Sequence, residues 1–188
     1  TITIGLDIAK SVFHLVWMNN TGKVLKRKQL SRKKVAEYFA NVEACTVVME
    51  ACGSTHYWSR VINRCGHEVK AIAPQFVTPY RKGNKNDYND AEAIAEAAQR
   101  QNMRFVPLKS LAQQDIQMLH RIRERLIKNR TALSNQIRGL LAEYGLVMPK
   151  GINHLKAHLP WVLEDATNEL SAPARRYFLG LIPISLTM

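Results

Sequence analysis

The sequence predicts an α/β fold, a mixed β-sheet flanked by helices and followed by a long α-helical arm. Three observations carry this. Stretches near the N-terminus alternate apolar and polar residues, as half-buried strands do. Two further apolar runs enclose a helical stretch, the mark of a βαβ unit. From about Ser110 to Tyr144 the apolar spacing changes to three and four and stays there.

TITIGLDI puts Ile2, Ile4, Leu6 and Ile8 on one face and Thr1, Thr3, Gly5 and Asp7 on the other, which reads as a strand. SVFHLVWMN is a second strand and KVLKRKQL a third, with turn chemistry between them in Asn19, Asn20, Thr21 and Gly22. The three are expected to pair antiparallel in succession. Ser31 is placed to cap a helix over RKKVAEYFANV. CTVVME, a continuous apolar run ending in an acid, reads as a buried central strand. A helix from about Ser54 to Cys65 follows, and Gly66 stops it. HEVKAIA is the next strand, expected parallel to CTVVME. The stretch PQFVTPYRKGNKNDYND leads into a helix over about 89–101, and RFVPL is a brief extended piece.

In the arm, Leu119, Ile122, Leu126, Leu133, Ile137, Leu140 and Tyr144 form the apolar stripe. At 1.5 Å per residue the helix is roughly 50 Å long, the size of a coiled coil that joins copies of the chain. Asn129 sits in the seam between Leu126 and Leu133. After Gly145 the chain is expected to be helical but broken by Pro149, Pro160 and Pro173, and to stop, at the apolar LGLIPISLTM, before its natural continuation. The expected divisions are 1–106 for the sheet domain, 107–145 for the arm and 146–188 for a helical connector.

Composition narrows the function. With 27 Lys and Arg against 15 Asp and Glu, the net charge is +12, the footprint of a protein that meets a polyanion, nucleic acid first. Hydrophobic residues make up 46%, enough for a core. No run reaches the roughly 18 apolar residues of a membrane span, and no signal-peptide pattern is visible, so a cytoplasmic protein is expected. Cys45, Cys52 and Cys65, an odd set without a C-x-x-C pair, fit a reduced compartment.

The acids lie where chemistry collects. Asp7 is near the end of the first strand and Glu50 ends CTVVME, and ligands in α/β sheets gather at the carboxyl ends of strands. Asp87 and Asp90, in KNDYND, share one side of a helix's first turn. Two carboxylates about 5 Å apart repel by roughly 3 kcal/mol at an effective dielectric near 20. Convergence of all four would therefore bring in protons or cations, and oxygen-only ligands favour Mg²⁺ or Mn²⁺. Paired divalent ions clamp the attacking and leaving oxygens of a phosphodiester. Each acid also has a local reading. Asp7 is a turn former, Glu50 an ion-pair partner, Asp87 a helix cap and Asp90 a partner of the helix dipole.

IGLDIAKSVFHL, VVMEACGSTHYW, GHEVKAIAPQFVTPYRKGNKNDYNDAEAIAEA and LHRIRERLIKNRTALSNQIRGLLAEYG together resemble the DEDD-type transposases of bacterial insertion sequences, relatives of the pilin-gene invertases. The resemblance runs from the first strand to about Gly151. It implies an RNase H-like fold of the Holliday-junction-resolvase type, with Asp7, Glu50, Asp87 and Asp90 as catalytic, metal-binding acids. It also implies DNA as substrate, a structured guide RNA as partner, and a nucleoid-associated bacterial location. Such proteins carry a nucleophilic serine in a C-terminal domain. Nothing after Gly151 resembles it, and Ser31, Ser54, Ser110 and Ser134 do not match it. Alone, this chain is expected to bind metal and nucleic acid without completing strand exchange.

Nucleic-acid contacts are expected from Lys10, from Arg81, Lys82 and Lys85 beside the acids, and from Arg121, Arg123, Arg125, Lys128, Arg130 and Arg138 on the arm. His154 with His158, and Cys52 with His56, have the i, i+4 spacing of metal ligands but no third partner, so packing is the expected role. Trp17, Trp58 and Trp161 are expected in the core or at an interface. Two other readings compete. IGLDIAKS also resembles the phosphate loop of actin-like ATPases, though no further Gly-rich motif accompanies it. A non-catalytic nucleic-acid-binding or dimerisation module would need the basic helix but not the acids.

Overall fold

The computed structural model describes residues 2–83 and 86–186. Contacts divide the chain into two compact units, Thr1–Ser110 and Leu111–Met188.

In the first unit, β1 (Thr3–Ile8), β2 (Val12–Met18) and β3 (Val24–Ser31) pair antiparallel in succession. Asn19 builds the turn between β2 and β3, its side-chain oxygen accepting from the N–H groups of Thr21 and Lys23. A single 3-10 turn, Arg32–Lys34, leads into α1 (Val35–Ala40). Ser31 does not cap this helix. It closes β3 in extended backbone and makes no capping hydrogen bond, because the strand claims it first. β4 (Thr46–Glu50), α2 (Thr55–Arg64) and β5 (Glu68–Ile72) make the βαβ unit. Gly66, with φ +91°, takes the left-handed turn that ends α2, a conformation costly for any residue with a Cβ. A short α3 (Pro74–Val77) and a second 3-10 turn, Thr78–Tyr80, precede α4 (Asp87–Ala98). RFVPL adds one antiparallel bridge, Phe105 to Ile72.

The strand order is β3-β2-β1-β4-β5, with β4 parallel to both β1 and β5. The sheet is thus mixed, three antiparallel strands continued by two parallel ones. Two apolar layers cover it. On one face Ile4, Leu6, Phe13, Leu15 and Val47 pack against Phe39 of α1 and Trp58 and Ile62 of α2. On the other, Val48 and Ile72 pack against Ala93, Ile94 and Ala97 of α4.

That second layer depends on Gly5. A Cβ there would lie 2.0 Å from the Ala91 carbonyl oxygen and 2.9 Å from the Ala95 Cβ. Only a glycine opposite alanines lets the α4 backbone come this close to β1.

The second unit contains α5 (Leu111–Ala142), α6 (Ile152–Glu164) and α7 (Ala172–Leu186). At 1.5 Å per residue the 32 residues of α5 span about 48 Å. Its apolar stripe divides. Ile137 and Leu141 are buried against Leu155, Leu159 and Leu163 of α6 and Phe178 of α7. Leu119, Ile122 and Leu126, further toward the N-terminus, are exposed. Pro160 lies inside α6 and does not break it. The proline costs about 3 kcal/mol in clash and lost hydrogen bond, and burying three leucines on one stripe outweighs that. Pro173 falls in the first turn of α7, where a missing N–H is harmless.

Substituting Gly5→Ala is expected to destabilise the chain by about 2–3 kcal/mol, the cost of overpacking a tight contact. Urea unfolding would measure it, and an unchanged midpoint would mean α4 does not pack as described.

Candidate metal centre

β1 and β4 are parallel neighbours, so Asp7 and Glu50 come to the same end of the sheet. α4 packs across β1 and β2 and starts at that end. Asn86 caps it, its side-chain oxygen accepting from the Tyr88 N–H at 3.0 Å. Asp87 is thus not the cap, and both first-turn carboxylates are available for other work.

Asp7 is the electrostatic centre. Its carboxyl is pushed from 3.8 to about 6, first by burial and then by the negative charges of Asp90, Asp87 and, more weakly, Glu50, while His14 acts in the opposite sense. The same end of the sheet therefore gathers all four acids. Asp90 is buried and Asp87 exposed.

Arg81 holds two of the acids. Its Nη2 donates to Glu50 Oε2 at 2.9 Å and its Nε lies 2.8 Å from Asp90 Oδ1. This guanidinium ties Asp90 to Glu50. Asp87 is turned toward His14, with Oδ2 3.6 Å from the imidazole Nδ1. That nitrogen is buried and, among the described residues, without a hydrogen-bond partner. The ring also meets Tyr88 edge-on at 4.8 Å. Among the described residues no group of three or more His, Cys, Asp or Glu side chains is arranged to hold a metal ion. Arg81 and His14 keep the four carboxylates gathered but not closed into one shell.

The donor set nonetheless fits a hard divalent cation. It consists of carboxylate oxygens, and Asp7, raised first by burial, is raised further by the negative charges of Asp90, Asp87 and Glu50. Arg81 already supplies part of the missing positive charge. Sequence reasoning missed His14. The available signal was register, since β1 pairs Asp7 directly with His14 of β2 and so sets both side chains on one face.

The cations named from sequence have differing fates. Lys10 is exposed in the turn after β1. Lys82 pairs with Glu96 at 2.6 Å, and Glu96 also pairs with Arg100. Lys85 lies outside the described residues. On α5, Arg121, Arg123 and Arg125 are exposed, Lys128 pairs with Glu124 at 3.0 Å, Arg130 is half-buried and Arg138 donates to Asn135. Trp17 and Trp58 are core residues, whereas Trp161 is 74% exposed.

An acid with a raised folded-state pKa contributes stability below its unfolded value that disappears as pH rises through the folded value. For Asp7 the loss falls between 3.8 and about 6. Asp7→Asn is therefore expected to raise the metal-free melting temperature by about 2–4 °C near neutral pH. The gain should shrink toward zero as the pH approaches about 4. Thermal melts across that range check it, and a pH-independent difference would contradict it.

The fold and the acid cluster can now be set beside known proteins. Two structures of Thermus thermophilus RuvC, one in complex with Holliday junction substrate, match 56% of this chain at 12% and 13% identity, with TM-scores of 0.42 and 0.43. They are matched over 99% and 100% of their own chains. A "Probable family 20 transposase" of Pseudomonas aeruginosa is 54% identical over 171 residues, 90% of this chain and 51% of that protein. The "Transposase for insertion sequence element IS1111A" of Coxiella burnetii is 46% identical over 173 residues, 92% of this chain and 48% of that protein. The chain thus spans about half the length of the curated relatives it matches. A family model for DEDD transposases of the IS110 type, described as "Transposase", matches residues 4–146. Matched by that model over residues 4–146, the chain belongs to the IS110-type DEDD transposases.

Proposed function

We propose that this chain is the N-terminal, metal-binding part of a transposase that cleaves and exchanges DNA strands at insertion-sequence ends. The observation that carries the reading is Asp7, half-buried beside three other carboxylates and raised to about 6. A family of transposases replaces the ATPase alternative. Strand exchange on this reading needs a serine from a C-terminal domain that the present residues do not supply, and a structured RNA guides the choice of DNA.

Asp7, Glu50, Asp87 and Asp90 would hold Mg²⁺ or Mn²⁺. When bound, such ions offset the charge that builds on a phosphodiester during transfer. Near neutral pH Asp7 is ionised, since it titrates at about 6, and so is ready as a ligand. His14 orients Asp87 from behind. Arg81 exchanges its two carboxylates for the oxygens of the scissile phosphate, a bidentate geometry that guanidinium serves well. Lys10, Lys82 and Lys85 hold the flanking backbone, and the arm cations Arg121, Arg123, Arg125, Lys128, Arg130 and Arg138 extend the contact to nucleic acid.

The exposed part of the α5 stripe serves self-association. Leu119, Ile122, Leu126 and Ile127, with Arg123 and Arg130, line an open groove of about 550 Å³. A second copy of the same helix would fill it in coiled-coil fashion. Ile122→Asp with Leu126→Asp is expected to convert an oligomer to monomer in light scattering while the melting temperature stays within a few degrees. A monomeric wild type would refute the association.

Millimolar Mg²⁺ or Mn²⁺ is expected to raise the melting temperature by about 5 °C, as ligand binding to the folded state alone does. Glu50→Gln and Asp7→Asn should each abolish the rise. Arg81→Gln should lower the metal-free melting temperature and tighten metal binding in calorimetry, because a competing cation has gone. Unchanged metal affinity in all three variants would overturn the assignment.

A further inference from the structure

Residues 23–34 carry seven of the chain's 27 basic side chains and no acid, namely Lys23, Lys26, Arg27, Lys28, Arg32, Lys33 and Lys34. Lys23 immediately precedes β3, the others lie on β3 and the turn after it, and β3 is an edge of the sheet. Arg27 pairs with Glu92 at 2.6 Å. Among the described residues none of the other six is in an ion pair.

Two of these lysines are held by aromatic rings. Lys26 Nζ sits 5.3 Å from the centre of Trp17, and Lys28 Nζ 4.2 Å from the centre of Tyr38. These contacts set each ammonium against a ring face, with Lys26 exposed and Lys28 half-buried. Lys28 and Lys34 border an open groove of about 540 Å³ between β3 and α1, floored by Leu30 and Tyr38. The groove's one acid is Glu37.

Register puts this edge beside the acids. Asp7 stands opposite His14, and His14 opposite Gln29 of β3. Two strand spacings are about 10 Å. On that face the edge lies about 10 Å from Asp7, whereas Lys26 and Lys28, opposite Trp17 and Leu15, stand on the α1/α2 face, so a duplex held by them meets the acids only by passing around the sheet edge.

We propose that β3 and the turn Arg32–Lys34 bind the phosphate backbone of duplex DNA flanking the site of cleavage. The proposal rests on the DNA-cleaving reading above. The chemistry is contact to phosphate and not to bases. Trp17 is buried and Tyr38 half-buried beneath their lysines, so neither offers a stacking platform of the kind single strands need. Duplex DNA carries one negative charge per 1.7 Å of axis, a density that matches a run of six unpaired cations. Lysines on an edge strand also discourage strand-to-strand aggregation. Lys33 and Lys34 lie beyond the strand, where that role does not apply.

The test uses the whole 188-residue chain. Binding to a fluorescent duplex of about 30 base pairs is measured by anisotropy between about 50 and 200 mM salt. The variant is Lys26→Gln, Lys28→Gln, Lys34→Gln. The control, Lys150→Gln, Lys156→Gln, Arg176→Gln, removes the same charge from the second unit. Thermal melts confirm that both fold. For the edge variant the slope of log affinity against log salt should become shallower by about 2.7, with at least a tenfold loss of affinity. The control should keep its slope.

Equal losses in both variants would reduce the effect to net charge and overturn the proposal. Unchanged DNA affinity with new self-association would assign the lysines to edge protection and overturn it as well. Loss of binding to an RNA duplex with DNA binding intact would reassign the surface to RNA. Absence of DNA binding by the wild-type chain would instead refute the underlying DNA reading, a result distinct from binding that ignores the edge variant.

Discussion

The contact between Gly5 and α4 is the constraint on which the rest of the first unit depends. With no side chain at that point of β1, the Ala91 and Ala95 stretch of the helix lies directly on the strand. Asp90 precedes Ala91, and Asp7 stands two residues beyond Gly5 on the same face. A helix held one side-chain diameter further out would leave the two carboxylates in separate, solvated surroundings. Their mutual repulsion, and the burial that amplifies it, follow from a missing methyl group.

This closeness has to be made tolerable. Gathered carboxylates are unstable without compensation, and the protein sets two different groups beside them. Arg81 spans Glu50 and Asp90, while His14 faces Asp87 from the neighbouring strand. Asp7, half-buried opposite His14, holds its proton more tightly, first through burial and then through the neighbouring carboxylates. The two units divide the other tasks. The sheet presents acids at its end and cations at its edge, and the long helix offers an exposed apolar stripe with arginines alongside.

Much of this was legible in the sequence because it is written in short-range patterns. Alternation in TITIGLDI and SVFHLVWMN, the apolar run before Glu50, and the three-four spacing after Ser110 each specify an element by itself. Motif order placed Asp7, Glu50, Asp87 and Asp90 as candidates. The misreadings all involve a contest between neighbours. Ser31 has the chemistry of a cap but was claimed by β3. Asp87 has it too, yet Asn86 took the position. Pro160 signals a break that a buried leucine stripe overrides. His14 was invisible because its importance is a matter of cross-strand register, which no linear pattern displays. Arg81 was visible as a cation, but its use as an internal counter-charge depends on tertiary distance.

The Arg81 bridge bears on how such a protein is made. Small domains that draw their cohesion from a metal stay unfolded until the metal arrives. Here a guanidinium built into the chain fills that need during synthesis. The acid cluster can assemble on a ribosome-fresh polypeptide whatever the supply of divalent ions. On the metal-binding reading proposed above, maturation of the fold and loading of the site would be separate events.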